Sequence, residues 1–204
     1  MDHIIAVCIG YVFGSIPFGL VLTRLAGLGD IRSIGSGNIG ATNVLRTGRK
    51  DLALATLLLD SFKAGLAFWL ILNFSGDRNI ALLAGAAAFL GHCYPVWLKF
   101  KGGKGVATYA GLLLFSFWWQ VFLVGAVSWL GLFLLTRVSS LSALVTAFTV
   151  PVGAFLLGAS GFELGVLIGL SVLAFWTHRE NVQRLVKGQE PKFGQPKPNE
   201  AEQV

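Results

Sequence analysis

Residues 52–73 read LALATLLLDSFKAGLAFWLILN, and this apolar run decides the fold class of the chain. An α-helix needs roughly 20 such residues to cross a bilayer. Asp60 and Lys63 are the only charged residues in the run. Other segments share its character, and we expect an all-α integral membrane protein with seven transmembrane helices near 4–23, 52–73, 80–98, 105–119, 121–136, 141–158 and 163–178.

The composition supports a membrane protein. Of 204 residues, 54% are hydrophobic and 13% are charged, which is too apolar for a soluble domain of this size. Cys8 and Cys93 both lie in apolar segments, so we expect free thiols, no disulfide and no metal site. The first residues lack the basic region of a signal peptide, and the first apolar segment is therefore interpreted as a transmembrane helix.

Val106–Leu135 is the ambiguous segment, because it fits one long tilted helix or two short helices with a turn near Gln120. The charge distribution favours two short helices. With seven helices and the N-terminus outside, only Arg78 of the 16 Lys and Arg residues falls on the outer side, and Lys63 falls within a span. The others fall on the cytoplasmic side: Arg24, Arg32, Arg46, Arg49, Lys50, Lys99, Lys101, Lys104, Arg137, Arg179, Arg184, Lys187, Lys192 and Lys197.

This topology places the C-terminus in the cytoplasm. We expect one membrane domain over 1–190 and a loosely ordered cytoplasmic tail over 191–204, which is rich in Pro and charge. Small residues at helical spacing also predict close contacts between helices. These are Gly10, Gly14, Gly161, Gly165 and Gly169.

Three polar segments interrupt the apolar runs: GSGNIGATN (35–43), KFKGGKG (99–105) and HRENVQR (178–184). In the first, polar side chains stand among glycines and Arg46 follows them. In the second, Lys101 and Lys104 precede a helix start, where backbone amides and the helix dipole favour anions. The sequence predicts phosphate binding at both, against the simpler alternatives of an Asn/Gly turn and a basic anchor.

The sequence contains matches to parts of two nucleotide-binding motifs, but the surroundings of each match argue against nucleotide binding. Residues 35–40 match G-x-G-x-x-G, and Asp60 follows at a suitable spacing, but that fingerprint needs a preceding strand and here the flanks are membrane helices. Gly103 and Lys104 resemble part of a P-loop, but Leu98 occupies the position of its first glycine and Gly105 replaces its Ser or Thr. Nicotinamide enzymes and nucleotide triphosphatases are therefore not favoured.

Two pairs of residues have open interpretations. On a continuous helix His178 and Asn181 are i, i+3 neighbours that face one site, where the His is either a structural hydrogen-bonding group or a base. Asp60 and Lys63 are also i, i+3 neighbours, and intramembrane charges are either functional or a mutually neutralising pair.

Residues 36–46, 91–108 and 178–190 closely resemble the three motifs of the bacterial acyl-phosphate:glycerol-3-phosphate acyltransferases. This resemblance implies transfer of a fatty acyl group from acyl phosphate to the 1-hydroxyl of glycerol 3-phosphate, giving lysophosphatidic acid and phosphate, the first step of phospholipid synthesis. It also implies a multi-pass protein of the bacterial inner membrane with a cytoplasmic active site. The implied partners are the two substrates and membrane lipid, with no cofactor, nucleic acid or required protein partner.

The resemblance implies a set of site residues. The expected catalytic residues are Ser36, Arg46, Lys104, His178 and Asn181. The expected substrate-binding residues are Gly37, Asn38, Gly40, Thr42, Asn43, Lys101, Gly102, Gly103, Gly105, Thr108 and Glu190.

Two other functions fit the sequence less well. Acyltransferases with soluble donors use a His with an Asp five residues later, whereas Trp97 follows His92 and Gln183 follows His178 at that spacing. A transporter for a phosphorylated anion would place its site at the bilayer midplane between repeats. The polar segments here lie at helix ends, and the sequence shows no internal repeat.

Overall fold

The computed structural model describes residues 2–116 and 119–194, and these residues form helices, short turns and loops without any β-strand. The all-α prediction is confirmed. The α-helices of this described part are α1 (His3–Gly14), α2 (Phe18–Leu25), α3 (Ala41–Val44), α4 (Lys50–Ser75), α5 (Arg78–Cys93), α6 (Val106–Ser116), α7 (Trp119–Thr136), α8 (Ser139–Leu156), α9 (Gly161–Thr177) and α10 (Arg179–Val186).

Within the described residues, five helical segments are long and apolar enough to cross a membrane. They are His3–Leu25, Lys50–Ser75, Arg78–Leu98, Trp119–Thr136 and Ser139–Leu156. The pair α9 and α10, bent by 61°, makes a sixth if it is counted as one span, and α6 is a shorter apolar helix. Each predicted segment therefore contains helix and the chain is a multi-pass membrane protein, while the count of seven spans stays a prediction.

The first predicted helix is interrupted. Its two parts, α1 and α2, are separated at Ser15, Ile16 and Pro17, because Pro17 has no backbone N–H to continue the helix. The interruption leaves carbonyl groups for side chains from elsewhere: Trp97 Nε1 donates to Ser15 O at 2.7 Å. Lys63 Nζ donates to Ile16 O at 3.1 Å.

Val106–Leu135 forms two helices, as the charge distribution favoured, but Gln120 does not lie in a turn. It is the second residue of α7, which begins at Trp119. The boundary therefore falls earlier in the chain than expected.

The chain divides into two compact units, Met1–Trp118 and Trp119–Val204. In the first, α1 packs on α5 at two of the predicted glycines. A Cβ at Gly10 would lie 2.0 Å from Ala84 O, and one at Gly14 would lie 1.9 Å from Ala88 O. Only residues without a side chain permit this approach of two backbones.

In the second unit, α8 packs against α7 and α9. The predicted close contact at Gly161, Gly165 and Gly169 is not found, since no described atom lies within 4 Å of a Cβ built on them. α9 begins with a capping box formed by Ser160 and Glu163.

The start of the predicted tail is attached to this second unit. Phe193 donates its backbone N–H to Arg137 O at 2.7 Å, and its ring contacts Phe133 edge to face. The tail beyond it, residues 195–204, lies outside the described residues.

Candidate active site

The first polar segment is held in shape by Asn43, which is almost fully buried. Its Nδ2 donates to the carbonyls of Ile31, Ile34 and Asn38 at 2.8 to 3.0 Å. Its Oδ1 accepts the backbone N–H of Ser36 at 3.1 Å. The side chain that we expected to bind substrate is thus bonded to the loop's own backbone.

The same loop exposes the groups that suit an anion. Ser36, Gly37, Thr42 and Arg46 are exposed. Arg46 lies against Gly35, because a Cβ at that glycine would be 2.6 Å from Arg46 Nη1. The fold therefore brings the guanidinium beside the residue that precedes Ser36.

Asn38 and Gly40 form the turn that leads into α3. The Oδ1 of Asn38 accepts the N–H of Gly40 at 3.2 Å, and Gly40 caps α3. Side chains of this kind stabilise turns by bonding the backbone two residues on. Both residues were expected to bind substrate, and the structure gives them this turn contact.

The second polar segment folds back onto the end of α5. Gly102 N donates to Cys93 O at 3.0 Å, and Gly103 N donates to His92 O at 2.9 Å. These two amides are thus bonded to carbonyls of α5, and the substrate-binding role expected for the two glycines stays a prediction. The last carbonyls of a helix have no partner within the helix, and here the glycines supply one.

Only glycine fits at these positions, because the segment packs too closely on α5 to leave room for a side chain. A Cβ at Gly102 would lie 2.1 Å from His92 O, and a Cβ at Gly103 would lie 2.0 Å from His92 Nε2. Gly105 has φ +81° and lies against the Phe89 ring, where a Cβ would be 2.3 Å from that ring. The three glycines predicted to bind substrate are therefore packed against α5.

Two lysines and the start of α6 lie beside these glycines. Lys101 is exposed, Lys104 is partly buried, and α6 begins one residue after Gly105. Thr108, in the first turn of α6, is fully buried, and its Oγ1 has no hydrogen-bond partner among the described residues. An unpaired buried hydroxyl is costly, which is consistent with a group that bonds a ligand.

The third segment contains a bend rather than a continuous helix. His178 ends α9 and precedes α10, so the assumption of one helix through His178 and Asn181 is wrong. The Nδ1 of His178 lies 2.8 Å from Ala174 O. A carbonyl oxygen only accepts, so Nδ1 carries a proton and Nε2 of the neutral ring has the lone pair.

Asn181 is buried and bonds to Glu190 rather than standing alone. Its Nδ2 donates to Glu190 Oε1 at 2.5 Å. Ser140 Oγ donates to the same oxygen at 2.7 Å, and Arg184 Nε donates to Oε2 at 2.7 Å. Glu190, which we expected to contact substrate, has its carboxylate occupied by three protein donors that join α8 to α10.

Glu190 makes the stability of the fold dependent on pH. Burial would raise the pKa of its carboxyl, but hydrogen bonds from Ser140, Asn181 and Arg184 hold that pKa below its ordinary value of 4.5. A carboxyl whose pKa is lowered in the folded protein stabilises the fold above pH 4.5. This stabilisation is lost as the pH falls through the pKa of the folded state. We expect Glu190→Gln to lower the melting temperature at pH 7, with the difference from wild type shrinking below pH 4.5.

Thermal unfolding of the purified protein at several pH values checks this expectation. Glu180→Gln, at an exposed position of α10, is the matched control and should change the melting temperature little at any pH. A Glu190→Gln deficit of constant size between pH 7 and pH 4 would contradict the linkage.

Sequence reasoning missed one member of a buried polar cluster. Asp60 and Lys63 form the expected pair at 2.7 Å, and His92 joins them with its Nδ1 2.7 Å from Lys63 Nζ. The side chains are 2 to 4% exposed. Two charges in an apolar run were the signal, and a search for a nearby polar partner in the other helices would have found His92.

The family model described as glycerol-3-phosphate acyltransferase matches residues 4–188. A glycerol-3-phosphate acyltransferase of Hyphomonas neptunium is 61% identical over 193 residues, covering 94% of this chain and 93% of that protein. Another from Maricaulis maris is 57% identical over 186 residues, covering 91% of this chain and 84% of that protein.

Solved structures agree with the sequence matches. The crystal structure of PlsY (YgiH), an integral membrane glycerol 3-phosphate acyltransferase, in its glycerol 3-phosphate form superposes with a TM-score of 0.87 at 37% identity, covering 94% of this chain and 96% of that chain. Its lysophosphatidic acid form gives a TM-score of 0.85 at 36% identity, covering 94% and 95%. The chain therefore belongs to the glycerol-3-phosphate acyltransferase family.

Proposed function

We propose that this protein transfers a fatty acyl group from acyl phosphate to the 1-hydroxyl of glycerol 3-phosphate, releasing lysophosphatidic acid and inorganic phosphate. The observation that carries the proposal is the family match over residues 4–188, which includes all three polar segments. The reaction is the first step of phospholipid synthesis. A fatty substrate and a water-soluble one meet best at the edge of a membrane.

The proposed location is the bacterial inner membrane, with seven spans, the N-terminus outside and the C-terminus in the cytoplasm. The concentration of Lys and Arg on one side of the predicted topology supports this orientation. It places all three polar segments on the cytoplasmic side. The single family match from residue 4 to residue 188 supports one functional domain over 1–190.

The second polar segment is proposed to hold the phosphate of the acyl donor. Lys101 and Lys104 supply positive charge, and the first turn of α6 supplies backbone N–H groups and the Thr108 hydroxyl. Gly102, Gly103 and Gly105 contribute by letting this segment pack on α5 rather than by donating N–H groups of Gly102 and Gly103.

The first segment is proposed to bind the other phosphate. Arg46 is a bidentate anion partner, and Ser36 and Thr42 are exposed beside it. Asn43 acts indirectly, by holding the loop that presents these groups.

The proposed chemistry needs little acid or base strength. Acyl phosphate is a mixed anhydride with a good leaving group. The 1-hydroxyl oxygen attacks the acyl carbon, the bond from that carbon to the phosphate oxygen breaks, and a phosphate oxygen of the substrates accepts the hydroxyl proton. The protein then contributes alignment and electrostatic stabilisation. His178 orients the hydroxyl through Nε2, and Asn181, fixed by Glu190, supports α10 behind it.

His178→Gln tests the orienting role. We expect kcat to fall by less than about 10²-fold, since the amide can still accept or donate a hydrogen bond but cannot act as a base. Steady-state kinetics with palmitoyl phosphate measure this, and Gln183→Asn, at an exposed position of α10, is the control. A loss of about 10³-fold or more with both Michaelis constants unchanged would make His178 the base.

Reconstituted vesicles test the function against a transporter. Labelled glycerol 3-phosphate is added outside vesicles that contain the protein and palmitoyl phosphate. We expect the label to enter the lipid fraction as lysophosphatidic acid. Water-soluble label that accumulates in the lumen without entering lipid would refute the proposal.

A further inference from the structure

The Lys63 ammonium is buried in α4 and has an acceptor for each of its hydrogens. Its Nζ lies 2.7 Å from Asp60 Oδ1, 2.7 Å from His92 Nδ1 and 3.1 Å from Ile16 O. An ammonium has three N–H groups, so its hydrogen-bonding capacity is filled. These contacts join α4, α5 and the interruption between α1 and α2.

The 2.7 Å contact with the Lys63 ammonium favours one tautomer of His92 over the other. Because an ammonium only donates, Nδ1 accepts and the proton of the neutral ring is on Nε2. The Nε2 edge faces the second polar segment, where a Cβ at Gly103 would lie 2.0 Å from it. Lys63 therefore sets the orientation of a ring that packs directly on Gly103.

His92 holds Gly103 in two ways. The ring packs against its Cα, and the carbonyl of His92 accepts its N–H at 2.9 Å. The neighbouring Gly102 is bonded to Cys93 O at 3.0 Å. The segment between Lys101 and Lys104 thus takes its path from the last residues of α5.

A structural ion pair would not need this arrangement. Asp60 and Lys63 are i, i+3 neighbours on one helix and neutralise each other without any contribution from α5. The ammonium is nevertheless shared with a ring whose other edge touches the loop expected to carry the donor phosphate. Its Nζ also lies 5.8 Å from the centroid of the Phe18 ring at the start of α2.

We propose that Lys63 is a positioning residue for the reaction: its ammonium holds the His92 ring against Gly103 and thereby fixes the segment that presents Lys101 and Lys104 to the donor phosphate. The assignment of that segment to the donor rests on the proposed function. The acyl-phosphate site is thereby linked to a buried polar cluster in the first unit.

The test uses the double variant Asp60→Asn/Lys63→Met, which removes both charges together and leaves no unpaired buried carboxylate. The control is Asp51→Asn/Arg49→Met, which removes an exposed ion pair of 2.6 Å at the start of the same helix. Both variants are compared with wild type in two assays. One is steady-state kinetics with palmitoyl phosphate and glycerol 3-phosphate, and the other is hydrogen exchange of the segment 99–105 by mass spectrometry.

We expect the Michaelis constant for palmitoyl phosphate to rise at least tenfold in the double variant, since a displacement of about 1 Å in a site can cost 10²-fold. The Michaelis constant for glycerol 3-phosphate should stay within about twofold, which separates positioning of one loop from general loss of structure. The amides of Gly102 and Gly103 should exchange at least tenfold faster. The control should match wild type in both assays.

Unchanged Michaelis constants, an equal rise in both, or unchanged exchange would each overturn the positioning role. A wild-type protein without acyl-phosphate turnover would instead refute the proposed function. The exchange assay would then still show whether the Lys63 contacts fix the segment 99–105, because it requires no activity.

Discussion

Gly103→Ala is expected to lower kcat/KM for acyl phosphate by about 10²-fold or more, because the new Cβ displaces the loop that presents Lys104. The Cβ would lie 2.0 Å from His92 Nε2 and 2.7 Å from His92 Cε1, and real Cβ atoms do not approach other atoms so closely. Gly103 cannot move away freely, since its N–H is bonded to His92 O at 2.9 Å. Kinetics of the purified variant measure the loss.

Gly131→Ala is the matched control, because it adds the same methyl group in α7 where no described atom lies within 4 Å of the new Cβ. It should leave kcat/KM within about twofold and raise the free energy of unfolding by roughly 0.5–1 kcal/mol, as Ala favours helix. The double variant Gly103→Ala/His92→Ser removes the clashing ring. The double variant should lose no more activity than the less active of the two single variants, Gly103→Ala and His92→Ser. If its fold-loss equalled the product of the two single losses, the two residues would act independently, which would contradict the contact between them.

Lys63→Met is expected to destabilise the protein by about 3–5 kcal/mol, the usual cost of leaving one partner of a buried ion pair uncompensated. The Asp60 carboxylate is 3% exposed and would lose the ammonium 2.7 Å away. His92 would lose the donor to its Nδ1 at the same time. The unfolding free energy in detergent or lipid measures the change.

Adding Asp60→Asn should restore most of that stability, since replacing a complete buried pair is often neutral. Arg49→Met, which breaks an exposed pair, should not change the unfolding free energy measurably. If the single and double variants were equally unstable, the cost would lie in lost packing and not in the isolated carboxylate.

Periodicity and charge predicted much of the fold because both act locally. The apolar runs located α1, α2 and α4 to α9, and the all-α class followed from them. They did not predict α3 and α10, which lie in polar segments. The interruption at Pro17 was missed because the run is apolar on both sides of it, although Pro removes a helix hydrogen bond. The position of the break before α7 was also missed, as Gln120 is polar but helical.

The polar segments were found, but the partners of their groups were not predictable. Whether an amide binds a ligand or ends a helix depends on where the chain folds back, and Gly102 and Gly103 fold back onto α5. Asn43 likewise bonds carbonyls 5, 9 and 12 residues away, and no local pattern encodes that set.

The buried polar cluster was also only partly predictable from the sequence. The pair of Asp60 and Lys63 was readable because helical spacing makes them neighbours. His92 lies 29 residues from Lys63 and meets it only because α4 and α5 pack together. Its role in shaping the Gly103 loop required the three-dimensional structure.

Release of inorganic phosphate from palmitoyl phosphate that depends on glycerol 3-phosphate is the most direct test of the central claim. Purified protein in a lipid phase is given palmitoyl phosphate with and without glycerol 3-phosphate, and palmitoyl coenzyme A is tested in parallel. We predict phosphate release that requires glycerol 3-phosphate and yields lysophosphatidic acid, with no turnover of the coenzyme A donor. Turnover with coenzyme A alone, or no turnover with either donor, would contradict the proposed reaction.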